Sequence, residues 1–182
     1  MISNNAYFII TGGPGVGKTT LLAELKRRGA RCVDEVARDI IRQQVRDGGN
    51  ALPWGDTMRY AELMHRRSVE TYQEAGDEGP VFFDRGIPDT LSYLRLIGRD
   101  IPAAMDEDAR NIRYNSTVFI LPPWQEIYGT DTERKQDWPE AVRTFGQLQK
   151  TYGEYGYQLV ELPKTSVGER AGLLLQRTNT HI

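Results

Sequence analysis

The loop Gly12-Gly13-Pro14-Gly15-Val16-Gly17-Lys18-Thr19 follows the apolar run Tyr7-Phe8-Ile9-Ile10 and precedes a stretch in which Leu21, Leu22 and Leu25 share one helical face. That context constrains the fold more than any other feature of the chain. Glycines between a buried strand and a helix let the backbone wrap with its N–H groups pointing inward. The helix N-terminus adds partial positive charge at the same point. A Gly-x-x-x-x-Gly-Lys-Thr loop in strand–loop–helix context is the Walker A pattern, which cradles phosphates. A purely structural glycine turn needs no Lys-Thr pair at that place. Residues 12–19, with Thr20 behind them, are expected to hold a nucleoside triphosphate. Lys18 is expected to reach its β- and γ-phosphates, and Thr19 to ligate Mg²⁺ through its hydroxyl.

The remaining chain repeats the same alternation. Apolar runs recur at Arg31-Cys32-Val33, Val81-Phe82-Phe83, Thr117-Val118-Phe119-Ile120-Leu121 and Gln158-Leu159-Val160-Glu161-Leu162, separated by longer amphipathic stretches. Short β-branched and aromatic runs between helices indicate buried parallel strands, hence an α/β sandwich. Helix signals support it. Arg27 and Arg28 suit a last turn before Gly29. Asp137-Trp138-Pro139-Glu140 and Ser166-Val167-Gly168-Glu169 read as capping boxes. The stretch 57–76 reads as a helix, and another is expected to start at Asp100-Ile101-Pro102 and end near Arg113. The 182 residues suffice for one good core, and the reading is a single domain over 1–182. A net charge of −2 argues against nucleic acid as the main partner. No run approaches the roughly 20 apolar residues of a membrane span. The lone Cys32 suits a reducing compartment, so a cytoplasmic location without a membrane role is expected.

Three further stations carry chemistry. Phe82-Phe83-Asp84-Arg85-Gly86 ends an apolar strand in an acidic residue; Asp84 either holds Mg²⁺ opposite Thr19, through a water, or caps the next helix. Arg85 then stands beside the phosphates. Its position is one where an ATP-hydrolysing motor would carry glutamate, which disfavours water as acceptor. Glu35 and Arg38 are three apart on one helical face. They either accept a proton from an acceptor hydroxyl and clamp an anion, or form an ordinary helix-start ion pair. The polar segment 128–136, with Arg134 and Lys135, either swings over the triphosphate as part of a mobile lid spanning about 124–137 or is a solvated loop. Trp54, Trp124 and Trp138 read as packing residues, with Trp54 a candidate wall of an acceptor pocket. Lys164 to Ser166 is placed to touch a nucleotide base. His65 and His181 have no partners for a metal site.

With these stations in order, the chain resembles the P-loop nucleotide and nucleoside kinase superfamily. It is most similar to the compact AAA-like ATP-binding family related to the ribosylnicotinamide kinase domain of the bifunctional NAD-biosynthesis regulator. The resemblance rests on residues 12–19, Glu35-Val36-Ala37-Arg38, Phe83-Asp84-Arg85-Gly86 and the segment around Arg134. It implies a three-layer α/β/α sandwich whose five parallel strands run in the order 2-3-1-4-5. It also implies ATP and Mg²⁺ as cofactors, a lid after the fourth strand, and a small-molecule acceptor over the end of the second. On that basis Lys18, Glu35, Asp84, Arg85 and Arg134 are the catalytic candidates, and Glu35, Arg38 and Arg85 the acceptor-side ones. Two departures stand out. Deoxynucleoside kinases commonly carry Glu-Pro where this chain has Glu35-Val36, and thymidylate kinases an aromatic residue where it has Gly86. The implied activity is transfer of the γ-phosphate of ATP to a nucleoside- or nucleotide-like acceptor. The alternatives are a nucleotide-dependent ATPase or switch acting on a protein partner, and a protein that binds without turnover.

Overall fold

The computed structural model describes residues 1–127 and 137–180. In chain order these form β1 (Ile2–Ser3), β2 (Tyr7–Gly12), α1 (Lys18–Arg27), β3 (Arg31–Val33), α2 (Val36–Asp47), α3 (Thr57–Glu74), β4 (Val81–Asp84), α4 (Ile87–Leu96) and α5 (Ala103–Asn111). There follow β5 (Ile112–Arg113), β6 (Thr117–Leu121), a 3₁₀ turn (Gln125–Ile127), α6 (Trp138–Glu154), β7 (Gln158–Glu161) and α7 (Val167–Arg177).

Side-chain alternation along the strands builds the layers, because successive residues point to opposite faces of a sheet. Phe8, Ile10, Phe82, Phe119 and Leu121 pack with Leu21 and Leu25 of α1 and Leu174 of α7. Their sequence neighbours Tyr7, Ile9, Val81, Phe83, Val118 and Ile120 pack on the other side with Ile40, Tyr60, Leu91 and Leu148, from α2, α3, α4 and α6. Both faces of the sheet are therefore covered, as an all-parallel sheet requires. Burying each side chain of this size contributes about 1.5–3 kcal/mol.

The five long strands are all parallel, in the order β3-β4-β2-β6-β7. Counted along the five expected strands this is 2-3-1-4-5. The phosphate-loop strand lies at the centre, and Ile10 pairs with Asp84. That register sets the start of the loop beside the end of β4.

Helix ends follow their local chemistry. Gly29, at φ 95°, closes the end of α1. Asp137 caps α6 by accepting from the Glu140 N–H at 2.8 Å. The Ser166 box is reciprocal: Ser166 Oγ accepts from the Glu169 N–H at 3.3 Å, and Glu169 from the Ser166 N–H at 3.1 Å. The helix expected to reach Arg113 stops at Asn111. Ile112 and Arg113 pair instead with Ile2 and Ser3 in a separate two-stranded parallel sheet. No local signal marks that pairing, whose partners lie at opposite ends of a long sequence interval. Residues 128–136, with Arg134 and Lys135, lie outside the described residues. Among those described, no helix is long and apolar enough to cross a membrane.

Candidate active site

The phosphate loop leaves β2 with Gly12, Gly15 and Gly17 at positive φ, conformations that side chains rarely adopt. Gly12 has a second constraint: a Cβ there would lie 2.8 Å from the Leu121 carbonyl of the adjacent strand. Lys18 is buried at the first turn of α1, and its Nζ donates to the carbonyls of Gly12 (3.0 Å) and Gly13 (2.9 Å). The same Gly12 oxygen accepts from Arg85 Nη1 at 3.0 Å. Two cations thus converge on one carbonyl, an arrangement that leaves positive charge for an anion at the loop.

Asp84 is 8% exposed, and its Oδ1 has no hydrogen-bond partner. Burial raises its pKa. Lys18 and Arg85 act against that shift, whereas Glu35 and Asp89 add to it. Asp84 does not cap the following helix. The N-cap of α4 is Gly86, whose N–H donates to Asp89 Oδ2 at 2.8 Å. The helix-capping alternative thus falls to Asp89, leaving Asp84 with an open acceptor.

Arg85 has φ 74°, in the left-handed region, which costs a non-glycine residue of order 1–3 kcal/mol. Its surroundings offset this. Arg85 Nε donates to Glu35 Oε1 at 2.8 Å, and Nη1 lies 3.3 Å from Asp89 Oδ1. Burial alone would lower the Arg85 pKa, but Glu35, Asp89 and Asp84 more than reverse this and hold it above the usual arginine value. Gly86 follows because a Cβ there would clash with Ile9 Cδ1. An aromatic residue at that position has no room.

Glu35 is the N-cap of α2, which begins one residue later than Asp34 would place it. Its second oxygen lies 3.4 Å from Arg38 Nε, so the expected pair on one helical face forms. Glu35 therefore sits between two guanidiniums, and through Arg85 it connects to Asp89.

Asp89 is a site residue that the sequence reading missed. It also accepts from Thr11 Oγ1 at 2.5 Å and from the hydroxyl of Tyr152. A local signal was present: Gly86-Ile87-Pro88-Asp89 places an acid in the first turn of a helix, four residues after Arg85. Arg170 of α7 was missed with better reason. It is 5% exposed, and its Nη1 lies 3.4 Å from the Val16 carbonyl. Its guanidinium sits 5.5 Å from the centre of the Trp124 ring. No carboxylate pairs with it among the described residues, and burial lowers its pKa.

Two cavities meet at this cluster. The first, about 500 Å³, is walled by the phosphate loop, Lys18, Thr19, Thr20 and Arg38, and on the far side by Trp124, Thr165, Ser166 and Arg170. The loop after the last strand thus reaches the cavity, as its position suggested. The second, about 380 Å³, lies between α2, α3, α4 and α6, with Trp54 at its wall. Pro14 and Glu35 line both. His65 is engaged elsewhere, 2.8 Å from Asp108.

Strand order and phosphate loop together define a P-loop kinase fold. Residues 7–170 match the AAA domain family, and the chain belongs to it. No functionally curated protein matches the chain. Solved structures share the fold at low identity. A deoxyadenosine kinase from M. mycoides with dCMP and dCDP bound aligns at TM-score 0.62 and 16% identity, over 96% of this chain and all of that one. NadR in complex with NR aligns at 0.70 and 19%, over 97% of this chain, which spans about half (51%) of that protein. Thymidylate kinase from Ehrlichia chaffeensis aligns at 0.61 and 13%, over 97% of this chain and all of that one.

Proposed function

We propose that the chain is an ATP-dependent phosphotransferase that moves the γ-phosphate of ATP to a hydroxyl of a nucleoside- or nucleotide-like acceptor. The observation that carries this reading is the meeting of two cavities at Glu35 and Pro14, one bounded by the phosphate loop and one by the helices over β3 and β4. A protein that only hydrolysed or bound nucleotide would need the first alone.

In this reading residues 12–17, Thr20 and Lys18 bind the triphosphate. Lys18 exchanges the Gly12 and Gly13 carbonyls for phosphate oxygens. The acceptor oxygen forms a bond to the γ-phosphorus as the bond to the β–γ bridging oxygen breaks, releasing ADP. Glu35 accepts the hydroxyl's hydrogen bond, orients the nucleophile and takes its proton. Its contacts with Arg85 and Arg38 hold the carboxylate in place, so positioning comes first and proton transfer late, which suits a loose transition state. Arg85 and, from the segment outside the described residues, Arg134 supply positive charge to the transferring group.

Asp84, with its open Oδ1, and the Thr19 hydroxyl suit Mg²⁺. Among the described residues no group of three or more acids, histidines or cysteines is placed to hold a metal by itself, so phosphate oxygens would complete the shell. When bound, the metal neutralises β- and γ-phosphate charge.

The test is incubation with labelled ATP, Mg²⁺ and a pool of nucleosides, nucleotides and small hydroxylated metabolites. A phosphorylated small molecule is expected. Glu35→Gln should leave ATP binding nearly intact and lower transfer by about 10²–10⁴-fold. Transfer at the normal rate by that variant would remove Glu35 from the mechanism.

A further inference from the structure

The second cavity shows a marked imbalance of charge. Its described lining carries three carboxylates, Glu35, Asp89 and Glu140, against a single guanidinium, Arg85. That guanidinium already bonds both Glu35 and Asp89. Glu140 is joined only distantly to Arg143, at 3.7 Å. Arg38 lies across Glu35, on the wall of the first cavity. A phosphate or carboxylate entering the second cavity would meet, among the described residues, no uncommitted cation and a net negative charge.

The rest of the wall is apolar and aromatic, with hydroxyls set into it. Trp54 stands at the wall with 62% of its surface exposed, a large ring with little of its own to pack on. Tyr60 and Tyr93, also in the lining, lie edge-to-face with ring centres 5.6 Å apart. Ser92 Oγ and Tyr93 Oη are buried without hydrogen-bond partners. Buried hydroxyls left unmatched cost free energy, and both belong to the cavity lining.

We infer that the acceptor is a nucleoside-class molecule without a phosphate or carboxylate: a planar ring for Trp54 and the tyrosine pair, polar groups for Ser92 and Tyr93, and a hydroxyl delivered to Glu35. This rests on the phosphotransferase reading and decides between its two acceptor classes. The charge of the described lining disfavours nucleoside monophosphates. One added phosphate in this setting weakens binding by at least about tenfold, because a unit charge at roughly 8 Å in a partly buried site is worth on the order of 1–2 kcal/mol.

Equilibrium titration tests it. Wild-type protein with Mg²⁺ and a non-hydrolysable ATP analogue is titrated with purine and pyrimidine nucleosides and with the 5′-monophosphate of each. At least one nucleoside is expected to bind, with its monophosphate tenfold weaker or more. Trp54→Ala should weaken that nucleoside about tenfold. Ser92→Ala should weaken it several-fold without lowering the melting temperature, since it deletes an unmatched group. A monophosphate that binds as tightly as its nucleoside overturns the inference, and so does a panel in which no nucleoside binds. Transfer from ATP is followed in parallel. A bound nucleoside that is never phosphorylated sinks the phosphotransferase reading and leaves the acceptor class standing. Transfer to a monophosphate does the reverse.

Discussion

Replacing Asp84 with asparagine asks whether the buried carboxylate is a burden kept for a ligand. Asp84 is buried at the end of β4, its Oδ1 has no partner, and burial raises its pKa. Its neighbours oppose one another: Lys18 and Arg85 favour the carboxylate, whereas Glu35 and Asp89 disfavour it. Burial is left as the leading effect. An unmatched buried polar group costs about 1–3 kcal/mol, so removing its charge should recover about 1–2 kcal/mol at neutral pH. In a chain of this size each kcal/mol moves the melting temperature by about 2–4 °C, so Asp84→Asn should melt about 2–8 °C above wild type without nucleotide.

The pH dependence has a fixed sign. With the folded pKa above the unfolded one, the contribution of Asp84 to stability is complete below the unfolded pKa and lost as pH rises through the folded pKa. The gap between variant and wild type is therefore widest above the folded value and closes as pH falls toward the ordinary aspartate range. Mg²⁺ and ATP should reverse the ranking. Ligand at a hundred times its Kd adds about 2.7 kcal/mol to the wild type, and the variant, without the carboxylate, gains less. Calorimetric melting from about pH 4 to pH 8, with and without ATP and Mg²⁺, reads both effects. An Asp84→Asn protein that melts below wild type at neutral pH without nucleotide refutes the reasoning, as does a gap indifferent to pH.

Asp89→Ala removes the acceptor shared by Thr11, Arg85, the Gly86 N–H and Tyr152, and should cost about 3–5 kcal/mol in urea unfolding; a loss under 1 kcal/mol would show that the hub is dispensable. Gly12→Ala places a Cβ 2.8 Å from the Leu121 carbonyl at φ 147°, and should lose about 1–3 kcal/mol together with ATP binding. Gly13→Ala is its control. The added Cβ meets nothing nearer than 3.8 Å, and stability should stay within about 0.5 kcal/mol of wild type.

Local patterns in the sequence carried the elements that local chemistry specifies. The Gly-rich loop, the Ser166–Glu169 box and the five apolar runs each declare themselves within a few residues, and strand order followed from the resemblance those motifs established. The Glu35–Arg38 pair was readable because three residues bring two side chains to one helical face. What stayed hidden depends on distance along the chain. The pairing of Ile2-Ser3 with Ile112-Arg113 has no signature in either dipeptide. Arg85 was legible as a charge near the phosphate loop, which its bond to the Gly12 carbonyl bears out, but not as a left-handed residue held between two carboxylates. Trp54 was a candidate pocket wall from its place after Pro53, but its exposure only the folded chain shows. The acids that surround the second cavity come from α4, α6 and the start of α2, and only the folded chain brings them together.

The contact between Arg170 and Val16 spans 154 positions of sequence. A chain can make it only once α7 has docked against α1. Until that contact forms, the first cavity lacks one side, and the triphosphate proposed to bind there has little to grip. Nucleotide should protect the finished protein against unfolding while doing little to speed its folding. The ligand acts as a late clasp, and supplies no template for the steps before it.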